Sequence, residues 1–247
     1  MEIIEHFDYN KIICGDCFNI LPQIPDNSVD LLFVDLPYGT TQASWDSILP
    51  LDKLWEQYNR ILKQNGAMLF TASQPFTTTL IASNIDYYKY SWIWEKSKAT
   101  NYLNAKKQPL RAYEEIVVFY RKQPIYNPQM TEGEAYNKGT ALRLTDVYGS
   151  QKAVEVKSDG LRYPRNVLYF KTAESEGEVI HPTQKPVALI EYMIKTYTNE
   201  GDVVLDNTAG SFSTAIAAHN TGRNWICIEQ NKEMCEKALK RFEKTCN

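Results

Sequence analysis

Short runs of consecutive hydrophobic residues alternate along the chain with segments in which hydrophobic residues recur every three or four positions. The runs cover residues 31–34, 67–70, 116–119, 203–205 and 225–228. They lack the polar alternation of a half-exposed strand. They therefore predict strands buried on both faces, as in a parallel sheet.

Three segments have the spacing of amphipathic helices. The first covers residues 51–62, and Asn65-Gly66 predicts its end. Two more cover residues 190–197 and 234–242. Because strands and helices alternate, we predict an α/β fold with a doubly wound, mostly parallel sheet.

The alternation stops between residues 121 and 165. This stretch contains several glycines and prolines and has no sustained hydrophobic period. Long irregular segments inside compact domains are usually functional. We therefore predict a single domain over residues 1–247 with an inserted region at about 121–165.

The composition, 43% hydrophobic and 23% charged, is that of a globular protein and excludes a wholly disordered, collagen-like or coiled-coil chain. The first residues show no basic stretch followed by an apolar run, and no run approaches the roughly 18 apolar residues of a membrane span. The sequence thus predicts neither a signal peptide nor a membrane protein. Five cysteines, an odd number, predict reduced thiols in the cytoplasm.

The charge distribution changes the picture given by the net charge of −3, which alone argues against a nucleic-acid partner. Residues 89–171 contain 15 Lys and Arg but 8 Asp and Glu, a local charge of +7, whereas the remainder carries −10. The basic segment indicates either a surface that binds a polyanion or a solvated lysine-rich loop.

A predicted nucleoside site follows two of the later strands. Asp206 and Gly210 lie in the turn after the run 203–205, and Glu229 follows the next run, 19 residues after Gly210. Ligands of open α/β sheets bind beyond the carboxyl ends of strands, and an acidic residue about 20 residues on suits ribose hydroxyls. Asp206 would repel a pyrophosphate, so a cationic nucleoside such as S-adenosylmethionine fits better. A turn with a capping Asp and no ligand is the alternative.

A second candidate site is the tetrad Asp35-Leu36-Pro37-Tyr38 after the run 31–34. An exocyclic amine on a base is a poor nucleophile, because its lone pair is delocalised into the ring. The Asp35 carboxylate and the Leu36 carbonyl could accept both of its N–H groups and favour the pyramidal nitrogen of methyl transfer. Pro37 stiffens the turn, and Tyr38 offers a ring on which an extruded base can stack. A plain proline turn is the alternative for this motif alone.

Taken together, the motifs resemble those of DNA amino-methyltransferases. Residues 35–38 (DLPY) resemble their D-P-P-Y motif, residues 206–211 (DNTAGS) their methyl-donor loop, and residues 181–186 (HPTQKP) their H-P-T-x-K-P element. The order of tetrad, basic insertion, H-P-T-Q-K-P and donor loop resembles the circularly permuted beta class. Further matches at residues 14–30 and 162–169 extend the resemblance over nearly the whole chain.

The resemblance implies a circularly permuted Rossmann-like methyltransferase fold with an inserted target-recognition region. It implies adenine-N6 methylation of double-stranded DNA, with S-adenosylmethionine as methyl donor and no metal. Asp35 and Leu36 would orient the amine, and Tyr38 would stack the flipped base. The donor would be bound by Asp16, Thr183, Lys185, Asp206, Gly210, Ser211 and Glu229. In the basic segment, we predict DNA contacts by Lys106, Lys107, Arg111, Arg143 and Arg165.

The chain departs from the family pattern at three positions. Leu36 and Asn207 each replace a proline, and Phe212 replaces a glycine, so the side chain at 212 must point away from the donor. Cytosine-N4 methylation stays open, although those enzymes usually carry Ser in place of Asp35, as does a DNA-binding relative without turnover. Cytosine-C5 chemistry would need a Pro-Cys pair, which does not occur, and a zinc site would need a second ligand pair beside Cys14-x-x-Cys17.

The resemblance also bears on partners and location. It implies a cytoplasmic protein of bacterial or phage-encoded type. A homodimer and a cognate restriction nuclease are both compatible with it. The recognition sequence stays open, because base contacts depend on side-chain placement in an irregular segment.

Overall fold

The structure, a computed structural model, describes residues 8–43, 45–141, 144–145, 149–150 and 153–246. These residues form two compact units. The first comprises the described residues up to Asn127 together with those from Asn166 onwards, and the second is Pro128–Arg165.

The first unit is built on one eight-stranded sheet, with strands numbered along the chain. Its members are β1 (Lys11–Cys14), β2 (Val29–Val34), β3 (Leu62–Ala72), β4 (Tyr88–Thr100), β5 (Arg111–Phe119), β12 (Val167–Phe170), β13 (Val203–Asp206) and β14 (Asn224–Glu229). Their spatial order is β1-β14-β13-β2-β3-β5-β4-β12. Only β5 runs antiparallel to its neighbours, which confirms the predicted mostly parallel sheet.

Helices cover both faces of this sheet. They are α1 (Cys17–Ile20), α2 (Leu51–Ile61), α3 (Phe76–Ser83), α4 (Val187–Tyr197), α5 (Ser213–Asn220) and α6 (Lys232–Cys246). One core contains buried residues of α2 and α3, and a second core contains those of α4, α5 and α6. The predicted doubly wound arrangement is confirmed. Among the described helices, none is both long and apolar enough to cross a membrane.

The end of α2 differs from the sequence prediction. The helix stops at Ile61, and β3 begins at the next residue, Leu62. Asn65-Gly66 therefore does not end a helix but lies in an irregular stretch of β3, where the pairing with β2 shifts register. A side chain at Gly66 would meet the carbonyl of Asp30 at 2.8 Å, so close approach of the two strands requires glycine there.

The second unit contains short antiparallel ladders where the sequence predicts irregular structure. β6 (Thr131–Glu132) pairs with β11 (Leu161–Arg162), β7 (Tyr136–Ala141) with β10 (Val154–Ser158), and β8 (Leu144–Thr145) with β9 (Gly149–Ser150). Strands this short give no readable period in the sequence. Residues 121–127 belong to the first unit, where the backbone N–H of Asn127 donates to the Thr196 carbonyl at 2.8 Å.

The prediction of reduced thiols is wrong for two cysteines. Cys14 and Cys235 form a disulfide with Cα atoms 6.2 Å apart. They meet because β1 pairs with β14, and α6 begins shortly after β14 ends. Cys17, Cys227 and Cys246 are free.

Candidate active site

Three loops meet at the carboxyl edge of the sheet, after β2, β13 and β14. The hydroxyl of Thr208, in the turn after β13, donates to the Asp35 carbonyl at 3.0 Å. The backbone N–H of Gly210, in the same turn, donates to the Glu229 carboxylate at 3.0 Å. The turn after β13 is therefore hydrogen-bonded both to the tetrad and to Glu229.

The Asp35 carboxylate accepts hydrogen bonds from three side chains. Oδ1 accepts from the Tyr38 hydroxyl at 2.9 Å and from the Thr71 hydroxyl, and Oδ2 accepts from Lys185 Nζ at 2.5 Å. A carboxylate offers about four lone-pair sites, so one acceptor position remains for an incoming amine. Within the described residues nothing donates to the Leu36 carbonyl, so this carbonyl is a second candidate acceptor in the tetrad.

Lys185 belongs to a buried chain of charges that the sequence did not indicate. The resemblance places Lys185 beside the donor, but its ammonium bonds Asp35 and lies 3.5 Å from Glu114, which in turn pairs with Lys96 at 3.1 Å. Burial alone would lower the pKa of Lys185, yet the two carboxylates raise it. Burial alone would raise the pKa of Glu114, yet Lys185 and Lys96 lower it. Both groups therefore stay charged at neutral pH.

Tyr38 is fixed on one side of its ring. The ring stacks on Phe76 with centroids 5.3 Å apart and planes 18° apart, and the Lys185 ammonium lies 5.7 Å from its centroid. Burial, followed by the charges of Asp35 and Glu114, raises the pKa of Tyr38 well above its usual value. The hydroxyl therefore keeps its proton and acts as a donor to Asp35.

The loop that follows the tetrad is held by Asp46. Its carboxylate accepts the backbone N–H groups of Gly39 at 2.8 Å, Thr40 at 2.9 Å and Thr41 at 2.7 Å. Burial alone would raise the pKa of Asp46, but these hydrogen bonds lower it. The chain is thus turned sharply after Tyr38 and fixed close to the sheet edge.

Asp206 is almost completely buried at the end of β13. Oδ1 accepts the Thr208 N–H at 3.1 Å, and Oδ2 accepts the Thr214 hydroxyl at 2.6 Å. Burial, with smaller contributions from the charges of Asp35 and Glu229, raises the pKa of Asp206 to about 7. A cation bound beside Asp206 would favour its ionised form.

The turn after β13 leaves room for a ligand close to its backbone. Gly210 has a φ of +49°, and a Cβ there would meet no atom within 4 Å. Phe212 also has a positive φ, 59°, and its side chain is fully buried in the second core. The side chain at 212 thus points away from the edge, as predicted, and its burial offsets a backbone conformation that is costly for a bulky residue.

The other predicted donor ligands have local roles in the fold. Asp16 caps α1 by accepting the Phe18 N–H at 2.9 Å, and the strand that precedes it, β1, lies next to β14. The Thr183 hydroxyl lies 3.0 Å from His181 Nδ1. The Ser211 carbonyl accepts from Arg241 at 2.7 Å, which ties the turn to α6.

The predicted DNA-binding residues lie in two places. Lys106 and Lys107 lie in the connection between β4 and β5, and Arg111 is the first residue of β5; all three are exposed. Arg165 is exposed at the end of the second unit. Arg143 lies outside the described residues.

The residues at the edge fit a cationic nucleoside. Asp35, Asp206 and Glu229 lie close enough for the first and third to affect the pKa of the second. Asp35 is already paired with Lys185, and the carboxylates of Asp206 and Glu229 disfavour a phosphate beside them and favour a positive charge. The open turn at Gly210 adds the space that such a ligand needs.

Comparisons with known proteins identify the family of the chain. The DNA methylase (N6/N4 methyltransferase) family model matches residues 29–240. The DNA adenine methyltransferase YhdJ of Escherichia coli (strain K12) is 32% identical over 94% of this chain and 82% of that protein. The Type II methyltransferase M1.MboII of Moraxella bovis is 27% identical over 94% of this chain and 95% of that protein.

Among solved structures, the M1.HpyAVI–SAM complex has a TM-score of 0.65 and 23% identity, and the match covers 94% of this chain and 98% of that chain. This likeness confirms the Rossmann-like α/β fold. The fold is that of an α/β protein with three carboxylates at the carboxyl edge of its sheet. The chain belongs to the DNA methylase family, which confirms the predicted resemblance.

Proposed function

We propose that the chain transfers a methyl group from S-adenosylmethionine to the N6 amine of an adenine in double-stranded DNA. The observation that carries this proposal is the hydrogen bond from Thr208 to the Asp35 carbonyl. This bond supports the proposal, because it links the loop that carries the two candidate amine acceptors to the turn of the candidate nucleoside site. The named activity of the Escherichia coli relative supports adenine as the target base.

The donor supplies an electrophilic methyl group on a sulfonium. Asp206 would bind the positive charge of its methionyl part, and Glu229 would bind the ribose hydroxyls. Gly210 would allow the donor to approach the backbone, with Asp16, Thr183 and Ser211 at its margins. These carboxylates would orient the methyl group toward Asp35.

Asp35 and Leu36 would act on the attacking nitrogen. Each would accept one N–H of the amine, which turns the lone pair out of the base's π-system and toward the methyl group. As the N–CH₃ bond forms and the sulfonium S–CH₃ bond breaks, the nitrogen would gain positive charge, which the Asp35 carboxylate would stabilise. The donor would leave as a neutral thioether, and the methylated nitrogen would then lose one proton to water. Tyr38 and Lys185 both keep their protons, so they position Asp35 rather than accept a proton. The base, flipped from the duplex, would stack against the ring of Tyr38.

The raised pKa of Asp206 predicts opposite pH effects on stability and on donor binding. Between about pH 4 and pH 7 the folded state binds a proton that the unfolded state has released. The stabilisation that this protonation gives to the folded state is therefore greatest below about pH 4 and is lost as the pH rises through 7. Asp206→Asn should remove this dependence and gain stability relative to the wild type at pH 8, by up to a few kcal/mol.

Donor binding needs the ionised carboxylate. Wild-type affinity for S-adenosylmethionine should fall by about tenfold per pH unit below 7, whereas Asp206→Asn should bind weakly at every pH. Calorimetry between pH 5.5 and 7.5, below the pKa of the donor's own α-amino group at about 8, measures this. A flat wild-type profile would remove Asp206 from the donor site.

If Glu229 binds the ribose, replacing it should lower the affinity for the donor by a defined amount. Glu229 now accepts the backbone N–H groups of Gly210 and Asn231, one on each carboxylate oxygen. Glu229→Gln keeps an acceptor for one of these two groups but removes the charge that would bind the ribose. Binding should weaken by about 1–3 kcal/mol, as for hydrogen bonds to charged groups. Glu233→Gln, on the exposed first turn of α6, is the matched control. Equal affinities for both variants would contradict the assignment.

The basic residues of the β4–β5 connection predict salt-dependent DNA binding. Replacing Lys106, Lys107 and Arg111 by Ala should reduce the slope of log K against log salt by about 0.9 for each phosphate that is no longer neutralised. The triple Ala variant of Lys237, Lys240 and Lys244, which are exposed on α6, has the same charge change and should alter the slope less. An altered sequence preference in the first variant would mean that at least one of the three replaced residues contacts bases. Equal slopes in both would contradict DNA binding by these three residues.

The second unit, with Arg143 and Arg165, is the proposed target-recognition region. Its short ladders present exposed polar side chains, which suits contacts to base edges. The proposal further includes a cytoplasmic location, a homodimer, and a cognate restriction nuclease of the kind that a Type II relative suggests. Light scattering on the purified protein tests the dimer.

Transfer of a labelled methyl group to DNA tests the proposal. Label in DNA separates an enzyme from a DNA-binding relative that has lost turnover. The Asp35→Asn variant gives the background level of label transfer, because it keeps the shape of the side chain and removes its charge.

A further inference from the structure

The connection between β4 and β5 exposes two large hydrophobic side chains that the proposed function does not use. Tyr102 is 76% exposed and Leu103 is 82% exposed, more than any other large hydrophobic residue that the structure describes. Adjacent exposed hydrophobic residues of this size are costly in water and mark interaction sites.

The turn that displays them is ordered by its own hydrogen bonds. Asn101 takes the left-handed conformation, with φ 71°, and starts a 3-10 turn over Tyr102–Asn104. The Asn104 side chain donates to Asn101 Oδ1 at 2.8 Å, and the Asn104 carbonyl accepts the backbone N–H of Lys107 at 2.8 Å. The backbone that carries the two side chains is thus already ordered. Less conformational entropy is therefore lost when these side chains bind a partner.

The charges around this turn identify its partner. Lys106 and Lys107 follow it directly, and Arg111 begins the next strand. Among the described residues, none forms an ion pair with these three side chains. A hydrophobic tip beside unpaired cations matches a polyanion with an apolar interior. Duplex DNA, with stacked bases inside a phosphate backbone, has this chemistry.

The strands below the turn connect it to the candidate active site. Glu114 of β5 lies opposite Trp94 and contacts Lys185, the partner of Asp35. Three residues further toward the tip, Arg111 lies opposite Thr100. At about 3.3 Å per residue, the turn starts roughly 10 Å beyond Glu114 on the same edge of the sheet.

We propose that Tyr102 and Leu103 insert into the duplex and fill the gap that the flipped target base leaves. This inference rests on the proposed function and names the residues that stabilise its substrate in the reactive form. Extruding a base costs stacking and pairing energy. An apolar wedge that stacks on the neighbouring pairs recovers part of this energy.

The test compares Tyr102→Ala/Leu103→Ala with the wild type on two duplexes. One is intact, and the other carries an abasic site in place of one nucleotide, so its gap exists before binding. Binding measured by fluorescence anisotropy should show that the wild type prefers the abasic duplex by several-fold, and the double variant should lose this preference. Ile85→Ala, an exposed hydrophobic residue before β4 at the other end of the strand, should keep it. An unchanged preference in the double variant overturns the wedge.

A second measurement uses duplexes that contain a site methylated by the wild type. The double variant should transfer methyl about tenfold more slowly to a matched target, and a mismatch at the target should restore most of the rate. Equal slowing on both duplexes, or no slowing, overturns the wedge while methylation by the wild type preserves the proposed function. If the wild type methylates no DNA, the proposed function fails, and the abasic preference alone still decides whether the turn inserts.

Discussion

Replacing Asp35 by Ala should lower the rate of methyl transfer by at least about 10²–10³, the decrease typical of removing a group aimed at transition-state charge. The amine would lose one of its two acceptors and the charge that stabilises the cationic nitrogen, and its line of attack would loosen. Donor affinity should change much less, because Asp35 lies at the tetrad and not in the turn that we propose binds the donor. Single-turnover transfer and calorimetry on the same preparation measure both.

The controls separate charge from shape. Asp35→Asn should lose nearly as much rate as the Ala variant, because the amide cannot supply the negative charge. Asp26→Asn also removes a carboxylate paired with a cation, Arg60, and should keep full activity. Normal turnover by Asp35→Asn would mean that the carboxylate does not act on the amine.

Replacing Lys185 by Met should have the largest effect on stability. The ammonium is 8% exposed and compensates the Asp35 and Glu114 carboxylates. Removing one partner of a buried ion pair typically costs about 3–5 kcal/mol, because the remaining charge stays buried. For a chain of this length, that should lower the melting temperature by roughly 10 °C. Calorimetric unfolding measures it.

Two further variants test the cause. Lys195→Met removes a lysine that pairs with Glu191 on the exposed side of α4, and should cost about 0.5 kcal/mol or less. Glu114→Gln combined with Lys185→Met removes one of the stranded charges, so it should recover part of the stability. If the double variant is as unstable as Lys185→Met alone, the destabilisation does not come from the uncompensated Glu114 carboxylate.

Much of the fold was predictable because parallel strands buried on both faces leave continuous hydrophobic runs. All five such runs are strands of the sheet. The strand β4 was missed, although the aromatic residues Tyr88, Tyr90, Trp92 and Trp94 occupy every second position along it. This period-two pattern favours a strand, but long aromatic side chains in a lysine-rich segment obscure it.

The site was predictable where chemistry lies directly after a strand. Asp35, Asp206 and Glu229 each end or follow a predicted run, and the carboxyl ends of neighbouring parallel strands meet at one edge. The chain of Lys96, Glu114 and Lys185 was not predictable, because β5 runs antiparallel and brings its first residues to that same edge. No local pattern records this pairing.

Phe212 also shows what local sequence can predict and what only the tertiary structure can show. The sequence indicates that its side chain must avoid the donor, but only the packing shows what receives it. The ring is fully buried in the core beneath α5. Local sequence therefore shows where the Phe212 side chain cannot point, and tertiary packing determines where it does point.

The identity of the methylated base tests the central claim most directly. DNA incubated with the protein and S-adenosylmethionine carrying a labelled methyl group would be digested to nucleosides and analysed by mass spectrometry. The label should appear in N6-methyladenine. Label in N4-methylcytosine, or in no nucleoside, would contradict adenine-N6 methylation by this chain.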